Sequence, residues 1–165
     1  MKINTAAAAV VRLDATIDAP LETVWRLHTD IDGWTDWHPD VPRADLHAPL
    51  GVGAVFEWET HGLAITSTVG EWTPMRRIAW GGPAHGIDGI HVWTFRTEGD
   101  RTVVHTEESW DGEPVRADPA GLHAALEASL VSWLAALKAT AEQRHAAAGQ
   151  HLATPVPRRI DSSDA

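Results

Sequence analysis

Two side chains capable of acid–base chemistry, His91 and Glu108, lie on neighbouring strands of a predicted β-hairpin. The strands cover residues 89–96 and 101–111, where apolar and polar residues alternate. Burial raises the pKa of a carboxyl group and a nearby imidazolium lowers it, so such a pair can titrate near neutrality. The pair could take a proton from a carbon next to a carbonyl group and supply a donor to the enolate oxygen. The alternative is a structural role, in which both side chains anchor a loop or a helix end.

The faces of this hairpin are assigned from the residues beside its turn. Arg96 and Arg101 flank the predicted turn and, if they pair, point to solvent. Alternation then turns His91 and Glu108 towards the interior, with His91 opposite Thr106 and diagonal to Glu108. The two groups are therefore expected within side-chain reach of each other but beyond direct contact.

Apolar and aromatic side chains dominate the rest of the inner face. The same alternation applies to a second hairpin, residues 54–60 and 63–73, and to a short strand at 77–81. Together with a C-terminal helix these strands predict a pocket with few polar groups, which is typical of a small-molecule site. The candidate ligand-binding residues are Phe56, Trp58, Ile65, Ser67, Val69, Ile78, Trp80, Trp93, Phe95, Val104, Thr106, Leu130, Trp133 and Leu134.

One long amphipathic helix over residues 118–149 is predicted to cover this face. Asp118 suits the N-cap position, and Gly149 suits the C-terminal end of the helix. At about 1.5 Å per residue the apolar part spans on the order of 30 Å, which matches six or seven strands spaced about 4.8 Å apart. Its large apolar side chains fall within an arc of roughly 120°, and they are Leu122, Leu126, Leu130, Trp133, Leu134 and Leu137.

The remaining elements predict an α+β fold with the order β-α-α-β-β-β-β-β-β-α. A first strand at 10–17 leads into two short helices, and the strands after them are joined by short connections. Short connections favour an antiparallel sheet. The segment 81–86 is interpreted as a loop, because it combines three glycines with a proline.

Composition restricts the class of function. The chain has 165 residues, 13 of them basic and 23 acidic, and a net charge of −10 that argues against nucleic acid or an anionic membrane as partner. It has no cysteine, which excludes disulfides and thiolate metal sites and suits a cytoplasmic protein. No targeting segment is predicted. Residues 150–165 contain prolines and few large apolar side chains, so they are expected to form a disordered tail.

Two further polar clusters could form sites. Asp36, His38 and Asp40 alternate next to Trp34 and Trp37 and could lie at a cavity mouth, although a solvated loop is the favoured interpretation. Two histidines and an aspartate in the segment 85–91 have a spacing that resembles a metal site. Because that segment changes from loop to strand, its side chains need not converge, and no metal is expected.

Several motifs resemble the START-like (SRPBCC) superfamily, in its polyketide cyclase/dehydrase branch. The resemblance extends from residue 10 to about residue 145 and implies a helix-grip fold, in which a curved antiparallel sheet of six to seven strands wraps around the long C-terminal helix. It therefore also implies that residues 1–149 form one ligand-binding domain. The motifs are Ile17-Asp-Ala-Pro20, Gly51-x-Gly53-x-x-Phe56-x-Trp58, Ile65-x-Ser67-x-Val69-x-Glu71-x-x-Pro74, Arg77-Ile-Ala-Trp80 and Glu108-x-Trp110.

The resemblance implies a protein that binds a hydrophobic, partly oxygenated small molecule between sheet and helix. Polyketide cyclisation or dehydration without a cofactor, with His91 and Glu108 as catalytic residues, is the leading expectation. A non-catalytic carrier or sensor of a lipid or other apolar ligand is the alternative, and the protein is expected as a monomer or homodimer. Aromatase/cyclase members are associated with pocket tyrosines and arginines. This chain has no tyrosine, which weakens an aromatase assignment.

Overall fold

The computed structural model describes residues 1–152, which form a seven-stranded sheet and a long C-terminal helix. The predicted α+β class is therefore confirmed. The helices are α1 (Leu21–Thr29), α2 (Glu113–Ala117) and α3 (Pro119–Leu152), and a 3₁₀ turn spans Asp32–Asp36. The strands are β1 (Ala9–Ile17), β2 (Arg43–Leu46), β3 (Val55–Thr60), β4 (Leu63–Thr73), β5 (Arg77–Ala84), β6 (Ile87–Glu98) and β7 (Arg101–Asp111).

The sheet is antiparallel throughout and has the strand order β1-β7-β6-β5-β4-β3-β2. Strands β2 to β7 are neighbours in the order of the chain, because each is joined to the next by a short connection. Strand β1 lies beside β7, and α1 and the 3₁₀ turn lead from β1 to β2 at the other edge. Sheet and α3 together form the helix-grip fold that the family resemblance implied.

Helix α3 buries the apolar stripe that its sequence predicted, with Leu126, Leu130 and Leu137 fully buried. Its first turn is capped as expected, because the Gly121 amide donates a hydrogen bond of 3.0 Å to Asp118 Oδ1. The predicted end of the helix at Gly149 is wrong, since the helix continues to Leu152. Glycine only permits a helix end; in α3 the backbone hydrogen bonds continue past it.

By length and composition alone, α3 is long and apolar enough to cross a membrane over residues Pro119–Gln150. In this fold the helix is the core helix of the sheet, and its apolar stripe packs on protein. The predicted tail, residues 150–165, begins inside α3. From residue 153 onward it lies outside the described residues.

The loop predicted at residues 81–86 is a strand instead. Strand β5 continues to Ala84, and only His85 and Gly86, with φ angles of 52° and 80°, form the turn to β6. The glycines allow the backbones of neighbouring strands to approach closely, because a Cβ on Gly81 would lie 2.5 Å from the carbonyl oxygen of Gly89. A Cβ on Gly82 would lie 2.7 Å from the Thr66 oxygen.

The β6–β7 hairpin is tighter than predicted, and its register differs by two residues. Glu98 pairs with Arg101, which leaves only two residues in the connecting loop. Consequently His91 lies directly opposite Glu108 rather than opposite Thr106. A shift of two residues keeps every side chain on its face, so both groups still point inward.

A cluster of aromatic rings fills the centre of the core and surrounds His28 on α1. The His28 ring centroid lies 4.5 Å from that of Trp93 and 5.1 Å from that of Phe95. The His28 side chain is fully buried, and neither ring nitrogen has a hydrogen-bond partner among the described residues. Burial lowers the pKa of His28 to about 3, so the imidazole is neutral at physiological pH.

His28 should make the protein sensitive to acid. Its pKa is about 3 in the folded state and about 6.5 when unperturbed, so between these values the unfolded state binds more protons. The free energy of unfolding therefore falls by about 1.4 kcal/mol per pH unit as the pH drops through this window. His28→Leu also removes an unpaired buried polar group, so we expect a gain of about 1 kcal/mol at pH 7 and a weaker acid dependence.

Urea unfolding at pH 7 and pH 5 measures both effects of His28→Leu. The same substitution at His123, an exposed residue of α3, is the control and should change neither quantity. An acid dependence that is the same in His28→Leu and in the unsubstituted protein would contradict this account of His28.

Candidate functional site

A cavity of about 450 Å³ lies between the first half of α3 and the inner face of β3 to β7. Its origin is a change in side-chain size along the helix. Ala125, Ala128 and Ser129 leave space where they line the cavity, whereas Leu134 and Leu137 fill the core beyond it. A cavity of this volume can hold a drug-sized molecule.

The sheet register sets the depth of each residue in the cavity. Trp80 pairs with His91, and His91 pairs with Glu108, so these three residues form one row across the sheet. We call this row the floor, since the side chains beyond it belong to the packed core. The turns His61–Gly62 and His85–Gly86 lie at the opposite end, which we call the mouth.

His91 and Glu108 are in direct contact at the floor. The His91 Nδ1 atom lies 3.3 Å from Glu108 Oε2, and His91 Nε2 lies 2.9 Å from Thr106 Oγ1. On the other side of the carboxyl group, Trp110 Nε1 donates a hydrogen bond of 2.7 Å to Glu108 Oε1. Trp110 thereby holds Oε1 as an acceptor and leaves Oε2 facing the imidazole.

Both members of the pair are neutral near pH 7. Burial raises the pKa of Glu108 to about 8, although the hydrogen bond from Trp110 opposes this shift. Burial also lowers the pKa of His91 well below its usual value, and the nearby His28 lowers it further. Because Oε1 accepts from Trp110, the carboxyl proton belongs on Oε2 and is donated to His91 Nδ1. The His91 Nε2–H group then donates to the Thr106 hydroxyl.

Glycine gives a ligand access to this carboxyl group. Gly89 lies next to the floor on β6 and also lines the cavity, and a Cβ added there would lie 3.6 to 3.9 Å from atoms of Trp110 and Glu108. The Glu108 side chain is 15% exposed, compared with 5% for His91. A molecule in the cavity would therefore reach Glu108 first.

The side walls of the cavity are aromatic and carry few polar groups. Trp58, Trp80, Trp110 and Trp133 all contribute to the lining. The indole of Trp58 donates its hydrogen bond to Ser67 Oγ, at 3.1 Å, which leaves a flat apolar ring towards the cavity. No lysine or arginine lines it, so an anionic group would find no countercharge in this part of the described chain.

Seven of the sixteen predicted site residues line the cavity, and their role in binding stays a prediction. Seven of the other nine lie on the inner face of the sheet but away from the cavity, because α1 and the 3₁₀ turn cover that half: Trp25 packs on Phe95, and Trp34 packs on Phe56. The remaining two, Leu130 and Leu134, lie on α3. The seven that line the cavity are Trp58, Ile65, Ser67, Trp80, His91, Glu108 and Trp133. The nine are Phe56, Val69, Ile78, Trp93, Phe95, Val104, Thr106, Leu130 and Leu134.

The candidate residue set omitted Trp110, Gly89 and Thr60, which also line the cavity. Alternation on β3 could have identified Thr60, since it is the next inward position after Trp58. Trp110 follows Glu108 by two residues, so the alternation on β7 that turns Glu108 inward also identifies Trp110.

The cluster of Asp36, His38 and Asp40 does not line this cavity, whereas His85 and His91 of the second cluster do, at its mouth and its floor. His38 is buried against Trp133 with ring centroids 4.0 Å apart, and burial lowers its pKa to about 4. Asp40 accepts a hydrogen bond of 2.6 Å from Ser132, which ties this loop to α3. Among residues 1–152, no three histidine or acidic side chains converge in an arrangement that could hold a metal ion.

Comparison with protein families identifies one that matches most of the chain. The model of the family described as polyketide cyclase/dehydrase and lipid transport matches residues 8–142. This stretch includes the whole floor and the part of α3 that lines the cavity. A comparison with curated proteins gave no match.

Solved structures with similar folds include a Streptomyces sp. R1128 aromatase/cyclase, Zhui, with a TM-score of 0.74 and 24% identity over 85% of this chain and 97% of that one. A hypothetical protein from Helicobacter pylori gives a TM-score of 0.74 and 22% identity over 84% and 91%. A START superfamily protein from Mycobacterium smegmatis gives 0.66 and 15% over 81% and 97%. At these identities the likeness shows the fold.

Gly89→Ala should narrow the cavity beside Glu108 without disturbing the fold, because the added Cβ makes only ordinary van der Waals contacts. We expect an unchanged melting temperature and at least about fivefold weaker binding of a planar aromatic probe, 4-hydroxystilbene, by isothermal titration calorimetry. Gly51→Ala, where nothing lies within 4 Å of the new Cβ, is the matched control. Equal affinities for the two variants would show that the probe does not occupy the space beside Glu108.

Proposed function

Since the chain belongs to the polyketide cyclase/dehydrase and lipid transport family, we propose that it binds an uncharged, partly oxygenated aromatic molecule in the cavity and performs acid–base chemistry on it. The reaction is a polyketide cyclisation or dehydration that needs no cofactor, and the protein works in the cytoplasm. His91 and Glu108 are the catalytic residues. The aromatase/cyclase from Streptomyces, which has the same fold, supports this class of reaction.

The observation that carries the proposal is the neutral His91–Glu108 pair at the floor of an apolar cavity. A carboxylic acid that keeps its proton at pH 7 can donate to a ketone oxygen, and a neutral imidazole can accept a proton from carbon. A purely structural ion pair would hold opposite charges, whereas here burial keeps both groups uncharged.

The first step is the enolisation of a ketone. The ligand's carbonyl oxygen replaces His91 as acceptor of the Glu108 proton, which frees Nδ1 as the base. The bond between the α-carbon and its hydrogen breaks, the proton goes to His91 Nδ1, and the Glu108 proton goes to the oxygen. The products are an enol and an imidazolium–carboxylate pair, and transfer of the proton from Nδ1 to Oε2 across 3.3 Å restores the starting state.

The aromatic walls supply orientation for the steps that follow. An enol carbon can attack a second carbonyl group of the same chain only if the two carbons are held close together. Trp58, Trp80 and Trp133 form flat surfaces around the cavity, which favour a folded, planar ligand. The lack of cations in the lining favours an uncharged ligand.

Transport of an apolar ligand is the second candidate function. The family description includes lipid transport, and most of the cavity wall is apolar. In a carrier the His91–Glu108 pair would be a structural element, and affinity would depend on the tryptophans. Trp58→Ala and Trp80→Ala would then weaken ligand binding, whereas Glu108→Gln would leave the affinity unchanged.

Hydrogen exchange at the α-carbon of a two-ring ketone, 2-tetralone, tests the catalytic proposal. The protein should accelerate exchange in D₂O, followed by proton NMR, and Glu108→Gln or His91→Ala should slow the protein-dependent rate by about 10² or more. The dissociation constant should change by less than about threefold, since the apolar walls remain. Glu107→Gln, on the outer face beside Arg12, is the matched control and should keep the full rate.

Tight binding of 2-tetralone without accelerated exchange would instead favour the carrier.

The pH dependence of the same exchange tests the protonation states. The step requires a protonated Glu108, whose pKa is about 8, so the protein-dependent rate should be level near pH 7 and fall tenfold per pH unit above about 8. Because the His91 pKa lies well below 6.5, no loss is expected between pH 6 and 7. A protein-dependent rate that rises through pH 8 would mean that the carboxylate is the base, contrary to the roles assigned above.

A further inference from the structure

Thr60 carries a buried hydroxyl group that has no hydrogen-bond partner among the described residues. It is the last residue of β3 and lies on the inner face, two positions after Trp58. The residue is only 8% exposed, yet it lines the cavity. Buried hydroxyl groups are nearly always hydrogen-bonded, so an unpaired hydroxyl in the wall of a cavity is a candidate partner for a bound molecule.

The groups around Thr60 do not satisfy its hydroxyl. Trp58 and Ser67, which line the cavity on the same strand and on its neighbour, bond to each other. His85, in the turn at the mouth, lies 3.0 Å from the Ala64 oxygen through its Nε2 atom. Thr60 thus contributes an unpaired hydroxyl to the wall of a mostly apolar cavity, in which Trp58, Ser67 and His91 already hold hydrogen bonds to protein groups.

Thr60 and Glu108 lie far apart across the cavity. Glu108 is on β7 and Thr60 on β3, four strand spacings apart in the sheet order. At about 4.8 Å per spacing the two strands are about 19 Å apart along the sheet, and the offset from floor to mouth lengthens this path, whereas the wrapping of the sheet shortens the direct distance. The surface between them is mostly aromatic. A single ligand can reach both groups only if it is elongated.

We propose that Thr60 is a second polar anchor of the cavity, and that the ligand is an elongated, uncharged aromatic molecule with an oxygen function at each end. One oxygen meets Glu108 at the floor and the other meets the Thr60 hydroxyl near the mouth. A threonine hydroxyl both donates and accepts, so a ligand hydroxyl or carbonyl group suits it equally. The inference rests on the proposed function in one respect, namely that the cavity takes an uncharged aromatic ligand.

Two stilbenes provide the test, because they differ only in the second oxygen. 4,4′-Dihydroxystilbene has a hydroxyl group at each end, and 4-hydroxystilbene has one. The unsubstituted protein should bind the dihydroxy compound about threefold to tenfold more tightly, as expected for one additional hydrogen bond. Thr60→Val keeps the shape of the side chain and removes the hydroxyl, so it should abolish this preference. Thr60→Ser should retain it.

Thr68→Val, the same substitution on an exposed position of β4, is the control and should leave both affinities unchanged. All dissociation constants are measured by calorimetry on variants whose melting temperatures have been compared. If both stilbenes bind and Thr60→Val weakens them equally or not at all, the anchor role of Thr60 is overturned while the proposed function stands. If neither stilbene binds the unsubstituted protein, the proposed function itself is overturned, and the anchor role with it.

Discussion

The architecture depends on how one helix fills the inner face of a seven-stranded sheet. Where α3 presents Leu130, Leu134 and Leu137, these side chains are buried in the hydrophobic core against the sheet. Where it presents Ala125 and Ala128, the sheet faces open volume. Empty apolar space in a core is costly, so it persists only where the surrounding walls support one another. Here the tryptophan rings do so: Trp34 and Trp58 both pack edge to face on Trp133.

This arrangement explains the electrostatics of the floor. A carboxyl group and an imidazole would form an ion pair in water, but a cavity lined by indoles stabilises neither charge. The proton therefore stays on Glu108, and the hydrogen bond from Trp110 determines which oxygen carries it. The open volume of the cavity, its apolar surroundings and the protonation of Glu108 all follow from the side chains that α3 and strands β3 to β7 present to it.

The packed half of the molecule shows a second consequence of aromatic burial. His28 is enclosed by aromatic rings, and within residues 1–152 neither of its nitrogens has a hydrogen-bond partner, which is energetically costly for a polar side chain. It also lowers the proton affinity of His91, because two protonated imidazoles in this core would repel each other. The core therefore contributes to the chemistry of the cavity even though α1 does not line it.

Local patterns in the sequence determined the order of the strands, the inner face of each strand and the buried stripe of α3, because periods of 2 and 3.6 residues act between near neighbours. They did not determine the partner of His91, since a hairpin slip of two residues preserves every face and only the turn geometry selects the register. Glycines at 81 and 82 suggested a loop, but their role is close contact between strands. Which inward residues meet the cavity was decided only by tertiary structure: α1, distant in sequence, covers Trp93 and Phe95 and leaves Trp80, Thr60 and Glu108 open.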